Sequence, residues 1–176
     1  MKKELSLERM GKLPATIEDM ACDEDDLYER EEAEEETLQF IVFRLAREWY
    51  GVEITKVREI IKVGKVTYLP SSPEHIAGIV SLRGNILSVT DLKMIFSLPY
   101  EQQTEKTRIV AVESGILETG LLVDEVVESI EVPVSKIEAP LLTLPADAGR
   151  YIEGQCRTGN RLVALLSVEK ILEKRM

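Results

Sequence analysis

The stretch Ile76–Leu92, IAGIVSLRGNILSVTDL, decides the fold. Two runs rich in Ile, Val and Leu, Ile76–Leu82 and Ile86–Leu92, flank Arg83-Gly84-Asn85. Gly and Asn reach positive φ cheaply, so the three residues have turn chemistry and the stretch reads as a β-hairpin. Arg83 is the charge at the tip of this apolar ribbon. It is either a solvated turn cation or a partner-contacting arginine on a rigid hairpin, since Arg is favoured at interface hot spots.

Working outward, a second hairpin echoes the first. Ile76-x-Gly78 followed by Gly84-Asn85-x-Leu87 recurs as Ile152-x-Gly154 followed by Gly159-Asn160-x-Leu162, with a turn one residue shorter. Upstream, Gly51, Ile54, Val57, Glu59, Ile61 and Val63 have the same spacing as Gly120, Val123, Val126, Glu128, Ile130 and Val132. Each hairpin runs into a helical turn, Leu92–Phe96 in the first copy and Val168–Leu172 in the second. The polar stretch Ser97–Lys106, containing Pro99, marks the boundary between the copies. Each half, about 70 residues with four or five short strands, has the size and pattern that close into a small β-barrel. Neither would have much core alone, so the two are expected to pack together. The first hairpin would border the groove between them.

The other elements follow from local pattern. Leu38–Leu45 is apolar enough for a strand buried on both faces, and Trp49–Ile54 is a second strand. Thr55–Ile61 is ambiguous between strand and helical turn. Val66–Leu69, Arg108–Val112 and Leu121–Val132 supply further strands. Asp91 is placed to cap the helical turn after it, and Ser167 to cap a C-terminal helix whose Val168, Ile171 and Leu172 face inward. Pro133–Pro145 is a loop with three prolines, yet it carries Leu141, Leu142 and Leu144, which is unusual for a free loop.

Charge partitions sharply along the chain. Residues 1–36 hold 14 Asp or Glu and 5 Lys or Arg, whereas residues 37–176 hold 18 and 17. The first segment is expected to be a disordered acidic tail, because it cannot bury enough surface to offset its ordering entropy. Transient helix is expected around Leu27–Glu36, and Leu13–Met20 is a candidate partner motif. The body, residues 37–176, is nearly neutral and lacks the clustered basic face that nucleic-acid binding needs. No apolar run approaches the ~20 residues of a membrane helix. MKKELSLERM is followed by no apolar h-region, so the expected address is the cytoplasm. Cys22 and Cys156 form no CxxC, which argues against a disulfide framework or a zinc site.

The chain shows no catalytic apparatus. His75 is the only histidine, and no Gly-x-Ser-x-Gly turn accompanies it. No phosphate-binding glycine loop and no metal-spaced cluster appears, so neither cofactor nor metal is expected. Cys156 reads as an inert thiol in an apolar strand. Asp91 and Asp124 read as turn and cap acceptors. Glu59, in the repeated segment, is a candidate partner for Arg83. The pattern is that of a binding module.

WYGVEITKVREI, VTYLPSSPEHIAGIVSLRGNILSVTDL, GLLVDEVVESIEV and YIEGQCRTGNRLVALLSVEKIL together resemble the CheW-type coupling proteins of bacterial chemotaxis, from about Leu38 to Leu172. The resemblance implies a mostly β fold of two packed five-stranded SH3-like barrels with short helical turns and a C-terminal helix. It implies a non-enzymatic adaptor linking the cytoplasmic tip of methyl-accepting chemoreceptors to the regulatory domain of the histidine kinase CheA. Such a protein would be cytoplasmic, recruited to receptor arrays without entering the membrane. Carried over position by position, the receptor groove would involve Val57, Glu59, Gly78 and Arg83, with Ile54 and Leu82 as apolar neighbours. Kinase contacts would fall on Leu141, Leu142 and Gly154. The alternative is a CheW-like regulator that binds the kinase but no receptor. The acidic tail and the polar Ser88 and Thr90 depart from the family pattern and leave open which receptor and kinase are served.

Overall fold

The structure is a computed structural model that describes residues 35–141 and 146–175. The expectations for residues 1–34, Leu142 and Leu144 lie outside the described residues. Among the described residues, ten strands and three short helices follow one another. They are β1 (Thr37–Leu45), β2 (Glu48–Glu53), β3 (Val57–Lys62), β4 (Ile76–Leu82), β5 (Asn85–Asp91), α1 (Leu92–Phe96), β6 (Arg108–Ser114) and β7 (Leu117–Val123). Then come β8 (Glu125–Pro133), α2 (Ala146–Gly149), β9 (Ile152–Thr158), β10 (Arg161–Leu166) and α3 (Val168–Arg175). The ambiguous Thr55–Ile61 resolves both ways, as a 3₁₀ turn over Ile54–Lys56 followed by β3. Val66–Leu69 forms no strand; Thr67 alone makes a bridge, to Ile79.

The strands form two five-stranded sheets, ordered β8-β1-β2-β10-β9 and β3-β6-β7-β5-β4. Matching the copies by the sequence repeat (β1 with β6, β2 with β7, β3 with β8, β4 with β9, β5 with β10) makes the two orders identical. Each sheet therefore takes two strands from one copy and three from the other. The chain changes sheet at Ile54–Lys56, between β2 and β3, and at Asp124, between β7 and β8. The repeat is real, but its copies exchange strands: the second sheet is the contiguous middle of the body, β3 to β7, and the first sheet joins the body's two ends.

Each sheet curls into a partly open barrel whose edge segments meet at one bridge, Thr67–Ile79 in the second sheet and Glu138–Gln155 in the first. Both bridges lie against the repeated glycines. A Cβ on Gly78 would stand 2.4 Å from the Thr67 carbonyl oxygen, and one on Gly154 would stand 3.0 Å from that of Glu138. The hairpin glycines thus admit a backbone at each closing point.

Three apolar clusters follow from this topology. Phe40, Val42, Ile130, Cys156 and Leu165 fill the first barrel. Val80, Leu87, Val89, Ile109 and Ala111 fill the second. The largest cluster lies between the sheets, where Phe43, Leu45, Val110, Leu121 and Val123 meet the buried sides of α1 and α3. This explains the double burial of β1. Phe40 and Val42 point into the barrel, and Phe43 and Leu45 point to the shared core. Phe43, Tyr50, Phe96 and Tyr151 form a ring series there, with successive centroids 6.4, 5.2 and 6.2 Å apart. Both predicted caps are present. Lys93 N donates to Asp91 Oδ1 at 2.9 Å, and Lys170 N donates to Ser167 Oγ at 3.4 Å. Val168, Ile171 and Leu172 are buried as expected.

Candidate functional site

The β4–β5 turn has two residues, because Leu82 already pairs with Asn85. Arg83 and Gly84 both take positive φ, 52° and 83°. This is the backbone of a type I′ hairpin, which the right-handed twist of the strands favours. Gly84 adopts it freely, whereas Arg83 does so at some strain, because αL is disfavoured for a long side chain. The tip therefore presents its guanidinium from a fixed backbone.

Arg83 is mostly solvated, its side chain 77% exposed, and its Nη2 lies 3.4 Å from Glu59 Oε2. Glu59 sits on β3 beyond a register shift between Val57 and Glu59. The shifted Arg58 donates to Glu118 Oε2 at 2.8 Å. The two ion pairs rim the mouth of the second barrel, where Leu82 and Leu87 are its apolar floor. Val57 starts β3 and packs against the shared core, and Leu82 packs against the barrel interior. Ile54, half-buried, lies in the 3₁₀ turn where the chain changes sheet. Ile54, Val57, Glu59, Leu82 and Arg83 thus run from the sheet junction to the barrel mouth. Gly78 does not join them: it is buried under Thr67, five residues back along β4, about 16 Å at strand rise.

The first barrel has a matching mouth that the sequence reading missed. Glu128, at the repeat position of Glu59, accepts from Arg161 Nη1 at 2.9 Å, and the Arg161 guanidinium lies 4.8 Å from the Trp49 ring centroid. The signal was present in the repeat alignment, which matches Glu128 to Glu59. The arginine lies just after its turn, whereas Arg83 lies within its own, which hid the equivalence. Beside this pair is a cleft of about 310 Å³ bounded by Trp49, Tyr50, Leu141, Ile152 and Leu162. Leu141 and Leu162 are 48% and 40% exposed. Burial, and donation to the Glu48 carboxylate at 2.5 Å, push the Tyr50 phenol far above its usual pKa, so it stays a neutral donor. Gly154 lies outside this cleft, lining a separate depression with Lys56, Glu153 and Glu169.

Neither surface, as described, sets a nucleophile beside a base. Among the described residues no group of three or more His, Cys, Asp or Glu side chains could hold a metal ion. Burial raises the pKa of the Cys156 thiol, which keeps it protonated and unreactive. Among the described residues no helix is long and apolar enough to cross a membrane.

Known proteins share this chain's sequence pattern and fold. The profile of the CheW-like domain matches residues 39–176. The Chemotaxis protein CheW of Helicobacter pylori is 33% identical over 145 residues, covering 82% of this chain and 87% of that protein. That of Bacillus subtilis is 32% identical over 136 residues, covering 77% and 87%. The crystal structure of the scaffolding protein TtCheW from Thermoanaerobacter tengcongensis superposes with a TM-score of 0.70 at 34% identity, covering 76% of this chain and 86% of that one.

Proposed function

This chain belongs to the CheW-like domain family, and from that premise we propose that it is a non-enzymatic adaptor coupling chemoreceptor tips to a histidine kinase. The observation that carries this is the run of Ile54, Val57, Glu59, Leu82 and Arg83 from the sheet junction to the barrel mouth. It offers an apolar strip ending in an exposed, pre-positioned guanidinium, which suits a helical hairpin with aliphatic anchors and an acidic or amide side chain. The kinase regulatory domain docks on the other barrel, at the Trp49–Leu141–Leu162 cleft. Gly78 and Gly154 serve both surfaces indirectly, through the strands they admit. Residues 1–36 form a separate acidic segment ahead of the adaptor body.

The exposed Leu141 and Leu162 favour retention of the kinase site and would fit the alternative, a regulator that binds only the kinase. The Arg83 edge favours the coupling reading. Isothermal titration of the full chain with a receptor-tip hairpin peptide, and separately with the kinase regulatory domain, distinguishes them. Coupling requires both to bind, with Arg83→Ala weakening the first and Leu141→Asp the second. Kinase binding without tip binding leaves the regulator.

A further inference from the structure

We propose that Lys93 and Asp124 are positioning residues that set the angle between the two sheets. Asp124 is the single residue on which the chain leaves the second sheet for the first. Three elements converge on it. Its N–H donates to the Arg44 carbonyl at 3.0 Å, and its Oδ2 accepts from Ala46 N at 2.7 Å. Its Oδ1 pairs with Lys93 Nζ, on the helix that follows the Arg83 hairpin. Both side chains are 10% exposed. Ala46 is itself buried at φ 52°, a left-handed conformation uncommon for alanine and held here by the Asp124 carboxylate.

The other sheet change shows what is special here. There Lys56 lies 2.5 Å from Glu169, on α3, and Ser114 Oγ donates to the same carboxylate at 3.3 Å. Glu169 stands at the repeat position of Lys93, so at both junctions an ion pair ties a crossover to the helix that ends one of the hairpins, with opposite charge order. The Lys56–Glu169 pair is at the surface, where it is screened and gives way at little cost. The Lys93–Asp124 pair is buried, where its charges are costly to desolvate and an apolar pair of the same volume would hold the fold as well. What an apolar contact would not reproduce is direction. A cation facing a carboxylate that the Ala46 amide also holds accepts one arrangement of α1 against the β1–β2 turn, whereas greasy surfaces slide. The receptor strip of the proposed function begins at the other sheet change, Ile54–Lys56, but the sheet angle is measurable without any partner.

The test compares the full chain with Lys93→Met, Asp124→Asn and the double variant. The Asp124→Asn change keeps an acceptor for Ala46 N. Each single variant strands a buried polar partner or charge, and a lower melting temperature is expected, by about 10 °C. The double variant is expected to recover most of that loss. Its amide residual dipolar couplings, however, should need different alignments for the two sheets, where the wild type fits one. A double variant whose couplings fit one alignment at the wild-type sheet angle overturns the proposal. So does one that melts as low as the single variants, because the pair would then be a stabilising element. Failure of the wild type to bind a receptor tip would refute the adaptor reading and leave this result untouched.

Discussion

Replacing Gly78 with alanine should open the second barrel at its closing point. The new Cβ would stand 2.4 Å from the Thr67 carbonyl oxygen and 2.8 Å from Val66 Cγ1, and Gly78 has φ +151°. The obstacle is backbone, which cannot rotate aside, so the Thr67 segment has to move. That breaks two hydrogen bonds, Thr67 N to Ile79 O and Ile79 N to Thr67 O, each 2.8 Å. At about 1 kcal/mol net each, with about 1–3 kcal/mol for a side chain in a glycine-only conformation, the loss is about 3–5 kcal/mol. For a domain of this size that corresponds to roughly 10 °C or more in melting temperature. Gly154→Ala is the internal control. Its Cβ meets the Glu138 carbonyl oxygen and Ile137 Cγ2 at 3.0 Å without a positive φ, so a few tenths of an ångström relieve it. About 1 kcal/mol, or roughly 3 °C, is expected there. Thermal melts followed by circular dichroism read the difference, and hydrogen exchange at the Thr67 and Ile79 amides should speed up in Gly78→Ala alone. Equal shifts for the two variants, or a Gly78→Ala loss under about 3 °C, would refute glycine-dependent closure.

Arg83→Ala should change stability by no more than about 0.5 kcal/mol, because its pair with Glu59 is long and solvated. It should still weaken receptor-tip binding about tenfold, as loss of an interface arginine does; unchanged affinity would remove Arg83 from the contact. His75 Nε2 is buried with no hydrogen-bond partner among the described residues, and desolvation, with Lys174 nearby, lowers the pKa of the ring from 6.5. The unfolded chain then binds the proton more readily, so stability is full above pH 6.5 and falls as pH drops through 6.5 toward the folded value. His75→Gln should flatten that slope in melts between pH 7 and about pH 5.5. A slope unchanged by the substitution would place its origin elsewhere. Glu169, whose pKa is lowered by its bond to Lys56, loses its contribution only below pH 4.5, outside that window. Cys156, 1% exposed with a raised pKa, should react with Ellman's reagent only after unfolding; rapid labelling of Cys156 in the native protein would show that the first barrel opens.

The strands and their pairing as hairpins were legible because alternation and turn chemistry are local. The repeat was legible too, since six spaced residues recur without a gap. Which strands the copies exchange was not, because spacing says nothing about which neighbour completes a sheet. Asp124 showed itself as a carboxylate among apolar residues, but its role depends on Lys93, which looks like any surface lysine on a short helix. Glu59 and Arg83 were paired correctly, whereas Glu128 and Arg161 were not paired at all, because the arginine moved from the turn into the following strand while the barrel mouth stayed in place. Thr67 read as part of a strand and is one bridge, a distinction that only the buried face of Gly78 makes.

The central claim is that one chain holds two partners at once. Sedimentation velocity on the full chain mixed with a receptor-tip hairpin fused to a carrier, and with the kinase regulatory domain, tests it most directly. A ternary species is predicted at component concentrations near the wild-type dissociation constants, depleted by Arg83→Ala and by Leu141→Asp, while each variant keeps the other binary complex. Binary complexes that exclude one another, or a chain that sediments with the kinase domain alone, would contradict the account.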